Sequence, residues 1–430
     1  MDNRRIAEGI AFHGKHQGQF LLSEALPVAR KLLEWLRGSK DVHHLSLAGS
    51  LRRWKEVVRN IDLIASSKDA LRVMDHFVAF EGVADVLTRG ETRTSVRLQS
   101  GLQADLRVVS GRQFPFMLVF FTGSEEHNAA LRRIAQKQGL TLSELGIFPE
   151  SASPSCKNEK EVYAALGLPC VPPELRENAG ELERDRLPSL IGFDSLKGVF
   201  HTHSDWSDGT ASIEAMAGKA RSMGLRYMGL SDHSKAASYA KGLDEARLRK
   251  QMEEVRRLNG TWDDFRVLQG LECDILPNGD LDLDPALLQE LDFLIGSVHS
   301  HFEMSEQEMT ERVCKSLNNN NLDILGHPTG RLLLSREGYK INLDRVIGTA
   351  RDCGKIIELN AYPNRLDLDA AHCRRAREQG VMLSINPDAH STGDLENVEY
   401  GLGTARRAGL EAKDVLNTRP LEEVLAILKD

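Results

Sequence analysis

Read for the spacing of its apolar side chains, the chain changes character near residue 190. Beyond that point short apolar runs alternate with amphipathic segments. Runs near 197–200, 225–230, 266–271, 293–298, 322–325, 355–359 and 381–385 read as strands. Between most of them lie helical patterns such as SIEAMAGKARSMG, EARLRKQMEEVRRLNG, SEQEMTERVCKSLNN and LDRVIGTARDCG. Gly224, Gly260, Gly354 and Gly380 stand where these helices should stop, a position that favours a left-handed cap. Alternating strand and helix predicts a parallel sheet with right-handed crossovers. Seven strands with polar residues at their C-terminal ends predict a closed or nearly closed βα barrel with its site at that mouth. An open doubly wound sheet would gather its polar groups at one crevice instead.

The first part is patterned differently. LSEALPVARKLLEWLRG has helical spacing, with Ser23 as the expected cap and Gly38 as the stop. HHLSLAGSLRR predicts a strand entering a Gly-Ser turn, and IDLIAS, ADVLTRG, TSVRLQS and ADLRVVS predict further short strands, with the helix ALRVMDHFVAF among them. FPFMLVFFTGS precedes an amphipathic helix, EEHNAALRRIAQKQG, and the proline-rich stretch 150–190 reads as a connector.

What ends the strand-like runs of the second part is the chemical signal. HTHSDWSDG supplies His201, His203 and Asp208; YMGLSDH supplies His233; VLQGLECD supplies Glu272; FLIGSVH supplies His299; LDILGHP supplies His327; MLSINPDAH supplies Asp388 and His390. Taken singly, each histidine is an ordinary loop or core residue. Nine such groups at successive strand ends predict one polynuclear metal site. Histidine with three carboxylates and no cysteine favours Mn, Fe or Zn in a hydrolytic role over structural zinc. Nine ligands exceed the need of one ion, so two or three divalent ions are expected, making a nucleophile of a bound water and neutralising a phosphate; no separate acid or base is assigned. Cys273 points to the other strand face and reads as core. Asp232 could orient His233, and His301 stands near enough to meet a substrate.

Composition adds bounds. The 430 residues, 41% hydrophobic and 27% charged, suit a globular protein of two or three domains. No apolar run approaches a membrane span, and MDNRRIAEGI has no signal-peptide core. Six cysteines without CxxC spacing suggest reduced thiols and a cytoplasmic location. Residues 1–200 carry 27 basic and 25 acidic side chains, whereas 201–430 carry 28 and 38. The acidic second half suits cations, and a nucleic acid would more naturally meet the first.

In this order and spacing HTHSDWSDG, SDHS, GLECDI, SVHS, GHPTGR and DAH resemble the PHP (polymerase and histidinol phosphatase) domain. KGLDEARLRKQ, HPTGRLLLSREGY and NAYPNRLDLD are similar to that domain in bacterial family X DNA polymerases. The resemblance implies a distorted seven-stranded βα barrel, up to three metal ions (often manganese) and cleavage of phosphodiesters at DNA 3′ ends. All nine positions of its ligand motifs are filled. Lys235, Arg331 and Arg365 follow those motifs closely and are candidate phosphate-binding residues. AGSLRRWKEVVRNIDLIAS with QADLRVV resembles the family X nucleotidyltransferase palm, where a Gly-Ser turn (here Gly49–Ser50) holds the triphosphate and three aspartates hold two Mg²⁺ ions. GETRTSVRL and FFTGSEEHNAALR extend the likeness through palm and thumb.

Departures from that pattern concentrate in the first half. Asp62 and Asp105 remain, but the first aspartate is replaced by Asn60, and an amide cannot hold two mutually repelling cations together. Trp54 stands for a small residue and Glu125 for a basic one, and nothing before Met1 corresponds to the DNA-gripping N-terminal region. The expected organisation is α/β: a degenerate nucleotidyltransferase-like α+β palm (1–110), a thumb-like segment (111–150), a connector (151–190) and a PHP-type barrel (191–430). The expected activity is metal-dependent hydrolysis at DNA 3′ ends, primer–template or gapped, with an inactive polymerase half. A histidinol-phosphate-type phosphatase and a non-catalytic DNA-binding scaffold are the rival readings.

Overall fold

A computed structural model describes residues 14, 16–149, 155–184 and 186–428; the N-terminal decapeptide read for a signal sequence lies outside them. The chain forms two units, residues 1–188 and 189–430.

In the first unit a five-stranded sheet runs in the order His44–Leu47, Asn60–Ser66, Gln103–Val109, Arg93–Leu98, Val83–Arg89. Only Asn60–Ser66 and Gln103–Val109 pair in parallel, which sets Asp62 opposite Asp105. The helix Leu22–Arg37 buries Leu22, Leu26, Ala29, Leu33 and Leu36 at three- to four-residue spacing. It starts one residue before Ser23, correcting the expected cap: Leu21 is the cap residue, and its N–H donates to the Glu24 carboxylate at 2.7 Å. The first unit's helix Glu125–Lys137 is capped by Ser124.

In the second unit parallel strands form two sheets. Gly198–Val199, Tyr227–Leu230 and Arg266–Gln269 make one; Glu272–Asp274, Ile295–Ser297, Ile324–Leu325, Ile356–Asn360 and Leu383–Asn386 make the other. The two sheets are linked by isolated parallel bridges, Thr202 with Ala389 and His233 with Glu272, and not by a continuous ladder, so the barrel is not closed. Arg266–Gln269 and Glu272–Asp274 are one strand direction interrupted at Gly270, where a Cβ would lie 2.3 Å from the Phe293 ring. The architecture is thus an imperfect seven-stranded βα barrel. Gly224, Gly354 and Gly380 take the left-handed conformation, but Gly260 does not: it caps its helix at φ −79°.

Strand alternation divides the barrel's side chains. Ile357, Leu359, Leu383 and Ile385 join the apolar layer shared with the surrounding helices. Phe200, Tyr227, Leu268, Phe293, Ile295, Ile324 and Ile356 form a separate apolar cluster with Val424 of the C-terminal helix Leu421–Ile427. Polar groups on the Ile356 face, two residues further on, therefore follow directly above that apolar floor. The unit's floor is apolar and its mouth is polar.

Candidate metal centre

Backbone contacts and conformation at the strand ends position the polar side chains. His203 is placed by its N–H donating to the Ala389 carbonyl at 2.8 Å, and Asp208 by a tight turn in which a Cβ on Gly209 would lie 2.7 Å from the His203 and Ser204 carbonyl oxygens. His327 and Asp388 are non-glycine residues with positive φ, 24° and 51°. Such backbones persist where the surroundings over-determine them, commonly at functional sites.

The structure brings all nine sequence-selected side chains together. Donor atoms lie within 4.8 Å of one another in four overlapping groups: His203, Asp208, His233 and His390; His201, His203 and Asp388; His201, Glu272 and His327; His233, Glu272 and His299. Glu272 is the hub. Its Oε1 is 2.9 Å from His327 Nε2, 3.2 Å from His299 Nε2 and 3.3 Å from His201 Nε2, and its Oε2 is 3.0 Å from His233 Nδ1. His201, His203 and Glu272 are fully buried, while the Asp208 and His390 side chains are each one-third exposed. The cluster therefore has a closed base and an open rim.

Electrostatics keep its carboxylates ionised. Burial opposes charge on Glu272, yet His201, His299 and His233 hold it well below the usual carboxylate range. Asp388 is likewise held low against burial, by His201, His203 and Arg365, and Asp208 is lowered to about 2, against burial, by His390 and His233. His203 behaves oppositely: burial, then the His390 and His233 charges, push it down to about 3. Buried imidazole nitrogens without a hydrogen-bond partner remain on His201 (Nε2), His203 (both), His233 (Nδ1) and His327 (Nδ1). Against burial, the surrounding carboxylates raise His201, His299 (to about 10) and His390 (to about 9), so these rings hold protons that a divalent cation would displace; three ionised carboxylates and six imidazoles freed in that way are a donor set that fits such ions.

Beneath the cluster lies a polar layer that the sequence reading passed over. Glu358 is fully buried and accepts from His201 Nδ1 (2.7 Å), the His327 N–H (3.0 Å), Asn360 Nδ2 (2.8 Å) and Asn386 Nδ2 (2.9 Å). Asn360 also donates to Asp388 at 3.0 Å. The signal was present in IIELN, where Glu and Asn recur at period two inside an otherwise apolar strand. Glu358 fixes the His201 tautomer with Nε2 toward the cluster. Glu358→Gln is expected to weaken Mn²⁺ binding about 10–100-fold with an unchanged circular dichroism spectrum; calorimetric titration showing native affinity would assign His201's orientation to packing alone.

The remaining candidates fall in distinct places. Asp232 accepts from the Ser204 N–H (2.8 Å), Ser204 Oγ (2.6 Å), Ser207 Oγ and Gln251 Nε2 (2.6 Å). It orders the turn that carries Asp208. Cys273 is buried in the apolar layer, with its thiol on Asp282. His301 is exposed. Arg365 reaches Asp388 Oδ2 at 3.4 Å and keeps a partly exposed guanidinium at the rim; Lys235 is exposed just after His233. Arg331 donates to the carbonyls of Arg365 (2.9 Å) and Leu366, so its guanidinium orders the turn bearing Arg365.

In the first unit, Gly49 has φ +61° and leaves no room for a side chain, since a Cβ would lie 2.1 Å from Asp62 Oδ2. Ser50 follows in the short helix Gly49–Arg52. Asn60 Nδ2 donates to both Asp62 (2.8 Å) and Asp105 (3.0 Å). Asp105 further accepts from Ser95, from Gln103 (3.0 Å) and from Arg93 (3.3 Å). The paired carboxylates are thus already bridged by an amide. Arg52 is tied to Glu159 at 2.6 Å and Arg53 to Glu177 at 3.0 Å.

Comparison with known proteins finds two family matches and several relatives. Residues 117–177 match the DNA polymerase beta thumb family and residues 200–362 the PHP domain. A DNA polymerase/3′-5′ exonuclease PolX of Bacillus subtilis is 39% identical over 99% of the chain and 75% of its own length. A protein named a probable phosphatase, from Thermoanaerobacter sp. (strain X514), is 29% identical over 51% of the chain and 89% of its own. An uncharacterized protein of Methanocaldococcus jannaschii is 27% identical over 51% of the chain.

Proposed function

The chain belongs to the PolX family, which joins a polymerase-beta-type thumb to a C-terminal PHP domain, and from that premise we propose that residues 191–430 hydrolyse phosphodiester bonds at DNA 3′ ends. The observation that carries this reading is the complete nine-residue cluster, buried at its base and open at its rim. PHP domains are metal-dependent, and His201, His203, Asp208, His233, Glu272, His299, His327, Asp388 and His390 are proposed to hold two or three divalent ions, Mn²⁺ first among them. When bound, such ions supply Lewis-acid stabilisation of a phosphate and a nucleophile near neutral pH. The protein's own groups do the rest. Glu358 and Asp232 orient donor side chains. Arg365 and Lys235 offer positive charge to the phosphate at the rim. The buried base excludes water from one side.

The first unit is read as a platform (1–110 palm, 111–150 thumb, 151–190 connector) that holds DNA without extending it. Asn60 bridging Asp62 and Asp105, and carboxylates engaging Arg52 and Arg53, support that reading. Six free cysteines suit a reducing cytoplasm; among the described residues no helix is long and apolar enough to cross a membrane.

A 5′-labelled primer–template incubated with Mn²⁺, with and without dNTPs, tests the proposal. A ladder of shortened primers, lost in His203→Ala, is the expected result. Extension on adding dNTPs would overturn the inactive palm. An untouched primer with hydrolysis of a phosphate monoester would replace the DNA reading with a small-molecule phosphatase, which phosphatase-named relatives matching only the second half make the natural rival. Binding without any turnover would leave a scaffold.

A further inference from the structure

The loop that follows His233 holds a large aromatic side chain in solvent. Ser234 and Leu243 pair as an isolated bridge, closing a loop over residues 235–242. Gly242 packs so closely that a Cβ there would lie 1.8 Å from the Ser234 carbonyl oxygen. Arg247 donates to the carbonyls of Lys241 (2.6 Å) and Gly242 (3.2 Å), and the Ala236 N–H donates to Asp282 at 2.7 Å. The loop is therefore anchored on both arms. Its crest is a single turn, Ser238–Ala240, ended by Lys241 in the left-handed conformation.

On that crest stands Tyr239. It is 71% exposed, the most exposed large apolar side chain among the described residues. Its ring centroid is nonetheless only 6.2 Å from that of His233, which belongs to two of the four donor groups. A rigid loop that keeps an uncovered aromatic face beside a metal cluster calls for a flat apolar partner. A nucleobase is such a partner: every base has a π-face, and stacking on a protein aromatic is strong and tolerant of sequence. The neighbouring Lys235, exposed on the same loop, would meet the attached phosphate.

We propose that Tyr239 is the stacking platform for a nucleobase at the 3′ end of the substrate, beside the phosphate held at the cluster. This rests on the reading of the second unit as a DNA 3′-end hydrolase and adds how that unit holds an end without reading its sequence. It follows that the site accepts all four terminal bases and discriminates against an end that lacks one.

The test compares full-length, Mn²⁺-loaded wild type with Tyr239→Ala and Tyr239→Trp. Two otherwise identical DNA ends are used, one with a normal 3′-terminal nucleotide and one with a terminal tetrahydrofuran abasic residue. Wild type and Tyr239→Trp should cleave the normal end about tenfold or more faster than the abasic end; in Tyr239→Ala the two rates should converge. A readout independent of turnover is 2-aminopurine at the 3′ terminus behind an uncleavable methylphosphonate linkage. Its fluorescence should be quenched by wild type and by Tyr239→Trp, but not by Tyr239→Ala. Equal rate ratios in wild type and Tyr239→Ala, or equal quenching, would overturn the stacking role while leaving the DNA reading intact. If wild type cleaves neither end yet hydrolyses p-nitrophenyl phosphate, the DNA reading has failed and the inference falls with it.

Discussion

Glu272→Gln should lower hydrolysis at least about a thousandfold and strip the second unit of divalent ions, with the fold retained. Charge stabilisation by bound metal contributes several kcal/mol to such reactions, which is a rate factor of that order. Glu272 is chosen because four histidines lie within 3.3 Å of its two oxygens, and of the three carboxylates it is the one that belongs to two of the four donor groups. Glutamine has the same shape but carries no charge and presents an amide where a cation should sit. It can still accept from His327, so the folded state keeps its packing. Metal content by plasma mass spectrometry, circular dichroism and the primer assay together check the result. Full metal occupancy and native rate in the variant would remove Glu272 from the centre. His203→Ala should act in the same direction.

The second large effect concerns the first unit. Asn60→Asp is expected to destabilise the metal-free unit by roughly 3 kcal/mol at pH 8, and millimolar Mg²⁺ or Mn²⁺ should recover most of that loss. The substitution removes two donors to carboxylates, each worth about 1.5–3 kcal/mol to the charged groups they serve, and sets a third carboxylate beside Asp62 and Asp105. Asp62 is already pushed up to about 6 by burial and then by the Asp105 charge, against the Asn60 hydrogen bond. Its folded value lies above the unfolded one, so its ionisation costs stability as pH rises from about 4 to 6, and none of that cost applies below both values. The loss in Asn60→Asp should therefore be larger at pH 8 than at pH 5. Metal binds the folded triad and not the unfolded chain, which makes the recovery concentration-dependent. Denaturant unfolding with and without Mg²⁺ at both pH values checks this. A wild-type first unit that is itself stabilised by Mg²⁺ would show that Asn60 does not exclude the ion, and the inactive palm would be withdrawn.

Much of this protein was readable from sequence because the signals are local. A period of two or 3.6 in apolar residues follows from backbone geometry, so the alternation of strand and helix beyond residue 190 stands in the string itself. Parallel strands then put every strand end on one rim, and a polar residue just past an apolar run must lie there. That is why His233, Glu272, His299 and His327, spread over 95 positions, could be assembled without coordinates. Asn60 was equally plain, being one wrong residue in a short motif.

Only the tertiary structure decided who touches whom across strands. Glu358 meets His201 across 157 positions, and alternation gives its face but not its neighbours. Asp232 was expected to steer His233; the fold gives its oxygens instead to Ser204, Ser207 and Gln251, which no spacing could disclose. Arg331 and Arg365 looked equivalent in the chain, yet one supports the turn that carries the other. Ser23 failed as a helix-start signal because caps are settled by competing local acceptors, and here the Glu24 carboxylate won; Gly260 does end its helix, but at negative φ rather than in the left-handed conformation. The rigid loop that holds Tyr239 in solvent depends on Ser234 meeting Leu243 and on Arg247 reaching back one turn. Periodicity determined the faces; long-range hydrogen bonding and steric fit determined the site.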